Sequence, residues 1–127
     1  MHSIKPKFQR VPALNVNLLE GCRDPFIALM KEHGVEYEET APNTEPPMNS
    51  LDFVEVFRDS DSWATAFATV ISDFLKNKPN RNVIVTTRSK AVINCEGLRE
   101  TAITHLLSLA RCLVVTDMEL MHRLLRE

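Results

Sequence analysis

The sequence predicts an α/β domain of α+β character, a mixed β-sheet of about five to six strands with three to four packed helices, in a single body of two or three layers. Three observations predict it. Segments whose apolar residues alternate with period two are interleaved with segments of helical period, the order expected when helices cross a sheet. The 127 residues are enough to bury one hydrophobic core but not two. An apolar fraction of 44% beside a charged fraction of 25% is that of an ordinary globular chain, and no segment repeats at a fixed period.

Along the chain, residues 1–10 read as a loose basic leader. Leu14, Val16 and Leu18 then alternate with Asn15 and Asn17, the signature of a strand with one buried face. Pro12 cannot donate to a ladder, so it marks the start of that strand or an edge. Asp24-Pro25 reads as an N-cap followed by the first helical residue, with Phe26, Leu29 and Met30 inward and Gly34 as the stop. Residues 35–38 (VEYE) read as a second strand. Residues 40–50 form a polar, proline-rich connector expected to be mobile; the segment before it is too short to hold a core, so it is not a domain boundary.

Residues 51–57 (LDFVEVF) read as a third strand, followed by a helix capped near Asp59 or Ser60. Trp63, Phe67, Val70, Ile71, Phe74 and Leu75 make one continuous apolar stripe along it. Lys76 and Lys78 suit the negative end of its dipole, and Pro79 ends it. Residues 83–87 (VIVTT) and 91–95 (AVINC) form a hairpin around Arg88-Ser89-Lys90, although no glycine is present to take a left-handed turn position. Leu98, Ala102, Ile103, Leu106, Leu109 and Ala110 predict a further helix over 98–111, and 112–115 (CLVV) a central strand buried on both faces. Thr116-Asp117-Met118-Glu119 has capping-box spacing and starts a last helix over 117–126.

Several function classes are not supported. Three glycines, Gly21, Gly34 and Gly97, cannot build either common phosphate-cradling loop, so no nucleotide cofactor is expected. No His/Cys/Asp/Glu spacing matches a zinc site, and no metal or other cofactor is expected. The apolar runs are far too short to span a membrane, and the mean hydropathy is −0.14. The start of the chain has no apolar core of a signal peptide, which points to the cytoplasm, and Cys22, Cys95 and Cys112 read as separate buried thiols rather than a disulfide framework. His33 near Cys22 admits a general-base reading, but its place at a helix C-terminus explains it structurally. His105 reads as packed at a core margin, and His122 as solvated. No catalytic residue is assigned.

The charge pattern carries more. From Lys31 to Asp61 acids dominate, among them Glu36, Glu38, Glu39 and Glu45; from Lys76 to Lys90 only bases occur, namely Lys76, Lys78, Arg81, Arg88 and Lys90. The basic groups flank a strand at both ends, roughly 20 Å apart, and form two patches rather than one stripe. With a pI near 6.1 and no interleaved aromatics, nucleic acid is not the expected partner.

The strand, short helix, strand and long amphipathic helix, ending in the basic turn Phe74-Leu75-Lys76-Asn77-Lys78-Pro79-Asn80-Arg81 before the hairpin, carry a resemblance. The segment from Ala13 to Cys95 resembles the effector-associated domains of bacterial conflict systems. The resemblance implies a non-catalytic adaptor that pairs effectors with partners. The leading expectation is a non-enzymatic protein-interaction, adaptor or regulatory domain of bacterial or phage origin, binding another protein or itself as a homo-oligomer. Its candidate partner-binding residues are Glu36, Glu38, Glu39, Lys76, Lys78, Arg81, Arg88 and Lys90. Two alternatives are an immunity-type inhibitor that masks a toxin with its acidic 32–61 region, and a small hydrolase or transferase using His33 or His105 beside a carboxylate.

Overall fold

The structure is a computed structural model that describes residues 12–19, 21–40, 52–58 and 62–117. Its elements are β1 (Pro12–Leu18), α1 (Arg23–Glu32), β2 (Tyr37–Thr40), β3 (Asp52–Phe57), α2 (Trp63–Asn77), β4 (Arg81–Thr87), β5 (Val92–Asn94), α3 (Glu100–Leu109) and β6 (Ala110–Asp117). The strands form one mixed six-stranded sheet in the order β2-β3-β1-β6-β4-β5. Only β1 and β6 pair in parallel; every other neighbouring pair is antiparallel. The α+β fold class and the element order match the sequence-based expectation over the described residues. The leader at 1–10, most of the connector at 40–50 and the helix expected to run on to 126 lie outside them.

Strand directions explain why the described helices form one layer. With β1 pointing up, β2, β5 and β6 also point up, and β3 and β4 point down. Each helix therefore joins two parallel strands: α1 crosses over β3, α2 over β1 and β6, and α3 over β4. Upward crossovers run toward the β2 edge, and the downward one runs toward the β5 edge. Crossovers of one hand must then all lie on the same face. Burial agrees. The inward row Val54–Val16–Leu113–Val85 and the row Leu18–Val115–Val83 are fully covered, and they share one core with Phe26, Met30, Phe67, Val70, Ile71, Phe74, Ile103 and Leu107 from the helices. Phe26 is the junction of α1 and α2. Its ring meets Phe67 at 5.9 Å and Phe74 at 5.2 Å, both edge to face.

The structure corrects several boundaries. Cys22, not Asp24, occupies the N-cap position of α1, with no side-chain capping bond. The Cys22 carbonyl already accepts the Phe26 N–H at 3.1 Å, so the helix starts two residues early and Asp24 lies in its first turn. β2 starts at Tyr37 because the Val35 N–H is still bound to the Met30 carbonyl at 3.0 Å in the turn that ends α1. α2 begins at Trp63, with Ser62 at its N-cap. α3 is shorter than 98–111: Ala110 turns extended and enters β6 directly. Its buried residues are Ile103 and Leu107, whereas Leu98 and Leu109 are exposed. β6 is central but not buried on both faces. Arg111, Cys112, Val114 and Thr116 on its second side are exposed or half-buried, because all the described helices cover the other side. The missing hairpin glycine is replaced by Lys90, which itself takes a φ of 73°.

Phe26→Ala removes the ring that both α2 aromatics meet edge-on. It is expected to cost about 3–5 kcal/mol of unfolding free energy, read from the urea midpoint at unchanged slope.

Candidate functional site

The charged residues fall at opposite edges of the sheet. β2 is one edge strand, and Glu36, Glu38 and Glu39 are all exposed there. Strand alternation separates them. Glu38 stands opposite Glu55 on the face away from the helices, while Glu39, opposite Val54, points to the helical side. There its carboxylate accepts hydrogen bonds from Arg23 Nη2 at 2.6 and 2.7 Å and from Arg23 Nε at 3.2 Å. Arg23 also reaches Asp24 at 2.8 Å, and the hydrogen bonds to Glu39 and then Asp24 raise the guanidinium pKa further. Glu39 is thus committed to fastening β2 to α1.

Lys76 and Lys78 lie where α2 ends, and Arg88 and Lys90 lie in the turn between β4 and β5, all exposed. They flank β4 at its two ends, as two separate patches. Arg88 Nη2 donates to the Ser108 carbonyl at 3.3 Å, and its backbone N–H donates to the Leu109 carbonyl at 3.0 Å, so the hairpin turn is moored to the end of α3.

Arg81 leaves the candidate set. It is 7% exposed and turns inward in phase with Val83 and Val85. Its Nη1 donates to the Phe74 carbonyl at 2.9 Å, and its guanidinium carbon lies 4.0 Å over the Phe74 ring. Its Nε lies 3.9 Å from Asp117 Oδ2, beyond hydrogen-bond reach, and has no hydrogen-bond partner. Arg81 and Asp117 are direct neighbours in the β4–β6 ladder. Period two with Val83 was a legible sign that Arg81 faces inward. Its acidic counterpart lies a helix and two strands later, where no local pattern could reveal it.

Cys22 senses the same cluster. Its thiol pKa is pushed up to about 11, first by burial and then by the charge of Asp117, with Arg81 opposing. Burial alone pushes Cys95 up to about 11. At neutral pH both are protonated thiols, the inert form. Cys112 is half-buried on the second face of the sheet, not fully buried as expected from its type.

His33 caps the C-terminus of α1, and its Nε2 lies 3.1 Å from Asp73 Oδ2 on α2, with both side chains partly buried. This carboxylate partner was invisible in the sequence, forty positions away. The pair ties the two helices and orients the imidazole. Cys22 cannot serve it: the whole of α1, ten residues, separates them, roughly 15 Å along the helix axis. His105 is exposed rather than packed at a core margin, and its carbonyl accepts Ser108 Oγ at 2.6 Å. Its helix turns Ile103 and Leu107 inward, which leaves position 105 on the outer side. His122 lies outside the described residues. Among the described residues no group of three or more His, Cys, Asp or Glu side chains is arranged to hold a metal ion. No helix among them is long and apolar enough to cross a membrane. No family model, curated protein or solved structure matches this chain.

Two outcomes are expected. The folded thiols hold protons that the unfolded chain releases near pH 9, so their contribution to stability is full below pH 9 and is lost as pH rises from 9 to 11. The urea midpoint should fall across that window, and less so in a Cys22→Ala/Cys95→Ala variant. Arg81→Ala should cost about 3 kcal/mol by removing the cation beside the buried Asp117 and the donor to the Phe74 carbonyl. Adding Asp117→Ala should cost less than the sum of the single changes, as a double-mutant cycle by chemical denaturation would read.

Proposed function

We propose that this chain is a non-enzymatic protein-interaction domain, an adaptor or regulatory module of a bacterial or phage-borne system that works in the cytoplasm. One observation carries the reading. The acidic edge at Glu36 and Glu38 and the basic turn at Arg88 and Lys90 lie at opposite sides of a six-stranded sheet, roughly 24 Å apart at ordinary strand spacing. A small domain with opposite fields at its two sides steers partners of opposite charge to different surfaces.

The interior supports the same reading. The groups with the most chemical potential are engaged in holding the fold: Arg81 with Phe74 and Asp117, His33 with Asp73, and Cys22 and Cys95 as protonated thiols. The exposed charges at the two edges are the groups placed to contact another molecule. The three cysteines stand as free thiols, which suits a reducing compartment. The resemblance of residues 13–95 to effector-associated adaptor domains agrees with this assignment.

The exposure of Glu36 and Glu38 on an edge strand also favours a second reading, an immunity-type inhibitor whose acidic side masks a basic toxin surface. One experiment serves both. Glu36→Lys/Glu38→Lys should weaken retention of a protein partner about tenfold in a pull-down followed by titration at two salt concentrations, with the larger loss at low salt. Light scattering that finds a strict monomer, together with no retained partner, would rule the interaction reading out. Relief of a toxin's activity by the same double variant would select the inhibitor.

A further inference from the structure

We infer that this chain forms a two-fold homodimer by antiparallel pairing of β5 with β5 of a second copy, making one continuous sheet across the seam. The inference deepens the interaction reading and rests on it in one respect, that the ligand is a protein.

The backbone of β5 is set for this. The Cys95 N–H donates to the Val83 carbonyl and the Thr87 N–H to the Ala91 carbonyl, each at 2.9 Å, and Ile93 stands opposite Val85. Ala91, Ile93 and Cys95 therefore turn their backbone polar groups toward β4, and Val92 and Asn94 turn theirs outward at the sheet edge. A register centred on Ile93 places Val92 opposite Asn94 of the second copy, and Asn94 opposite its Val92. Both are then hydrogen-bonded pairs, and Ile93 meets its own equivalent at the non-bonded position on the two-fold axis.

Charge selects the same register. Three positions out from that centre, just past the strand ends, Lys90 of each copy falls on the side of Glu96 of the other, and both side chains are exposed. Self-pairing of the other edge is opposed instead. An antiparallel β2–β2 contact centred on Glu38 would set that carboxylate against its own equivalent, with Glu36 and Glu39 close by.

Apolar exposure is present on this edge as well. Among the described residues the exposed large hydrophobic side chains are Val92 at 68%, Leu98 at 37% and Leu109 at 44%. Val92 is on β5. Leu98 follows it, its N–H bound to the Cys95 carbonyl, and Leu109 ends α3 beside the hairpin turn, its carbonyl bound to the Arg88 N–H. α3 thus runs antiparallel to β5 from the level of Leu98 to that of Leu109. The two-fold axis is perpendicular to the sheet, so it keeps both helical layers on one face. One symmetry operation pairs the outward backbone groups and both charges, and it closes at two copies.

The test is size-exclusion chromatography with light scattering over a concentration series, on the full chain and four variants. Val92→Pro deletes an outward N–H while leaving the β4–β5 hydrogen bonds intact, and Lys90→Glu reverses one half of the charge pair at an equally non-glycine left-handed position. The wild type should approach dimer mass by roughly 100 μM, and each single variant should raise the dimer dissociation constant about tenfold or more with an unchanged melting temperature. Lys90→Glu/Glu96→Lys should restore it. Monomer mass at roughly 1 mM would overturn the inference, as would a dimer indifferent to both single variants. Growth past the dimer that Glu38→Lys abolishes would replace it with head-to-tail pairing of β2 and β5. A monomer that still retains a salt-sensitive partner removes the dimer but not the interaction reading; a monomer with no retained partner removes both.

Discussion

The parallel pairing of β1 with β6 is the constraint on which the rest of this fold depends. It is the seam between an N-terminal half, β2-β3-β1 with α1, and a C-terminal half, β6-β4-β5 with α3, and α2 also bridges the two. Val16 beside Leu113 and Leu18 beside Val115 are fully buried along that seam, and the Leu19 N–H extends it with a bond to the Val115 carbonyl at 3.0 Å. A parallel pair cannot be closed by a tight turn, so its partners come from distant parts of the chain. The loop-closure entropy is offset by burying the most apolar strands in the middle of the sheet, under the longest helix.

The same seam brings Cys22, Arg81 and Asp117 together, since β6 carries Asp117 past the start of α1 while β4 lies on its other side. Burying a guanidinium and a carboxylate is expensive, and an imperfect pair at 3.9 Å adds little stability over a hydrophobic alternative. The bond from Arg81 to the Phe74 carbonyl gives the cluster a second role. A cation at the last turn of α2 satisfies a helix carbonyl and stacks on the ring that Phe26 also meets. Charge, aromatic packing and helix termination therefore converge on one corner of the core.

Among the described residues β2 and β5 are the two edge strands of the sheet, and the two are treated differently. Exposed carboxylates guard β2, a common defence of edge strands against association. β5 is guarded mainly by its shortness, three residues ending beside exposed apolar side chains. The asymmetry follows from the charge segregation in the sequence once the topology sends the acidic segment to one edge and the hairpin to the other.

By itself the sequence determined the elements and their order. Alternation at Leu14, Val16 and Leu18, the apolar stripe from Trp63 to Leu75, Gly34 after α1 and Pro79 after α2 are local signals, written over a few residues where backbone sterics and periodicity act. The tertiary structure alone decided the strand order, the one-sided burial of β6, and the fates of Arg81, His33 and Glu39. Each of those three was assigned by a partner far along the chain: Asp117, Asp73 and Arg23. Local pattern fixes which way a side chain points but not what it meets. A charge that reads as surface becomes structural only when the topology places its counterion beside it, because burial without that partner would be prohibitive.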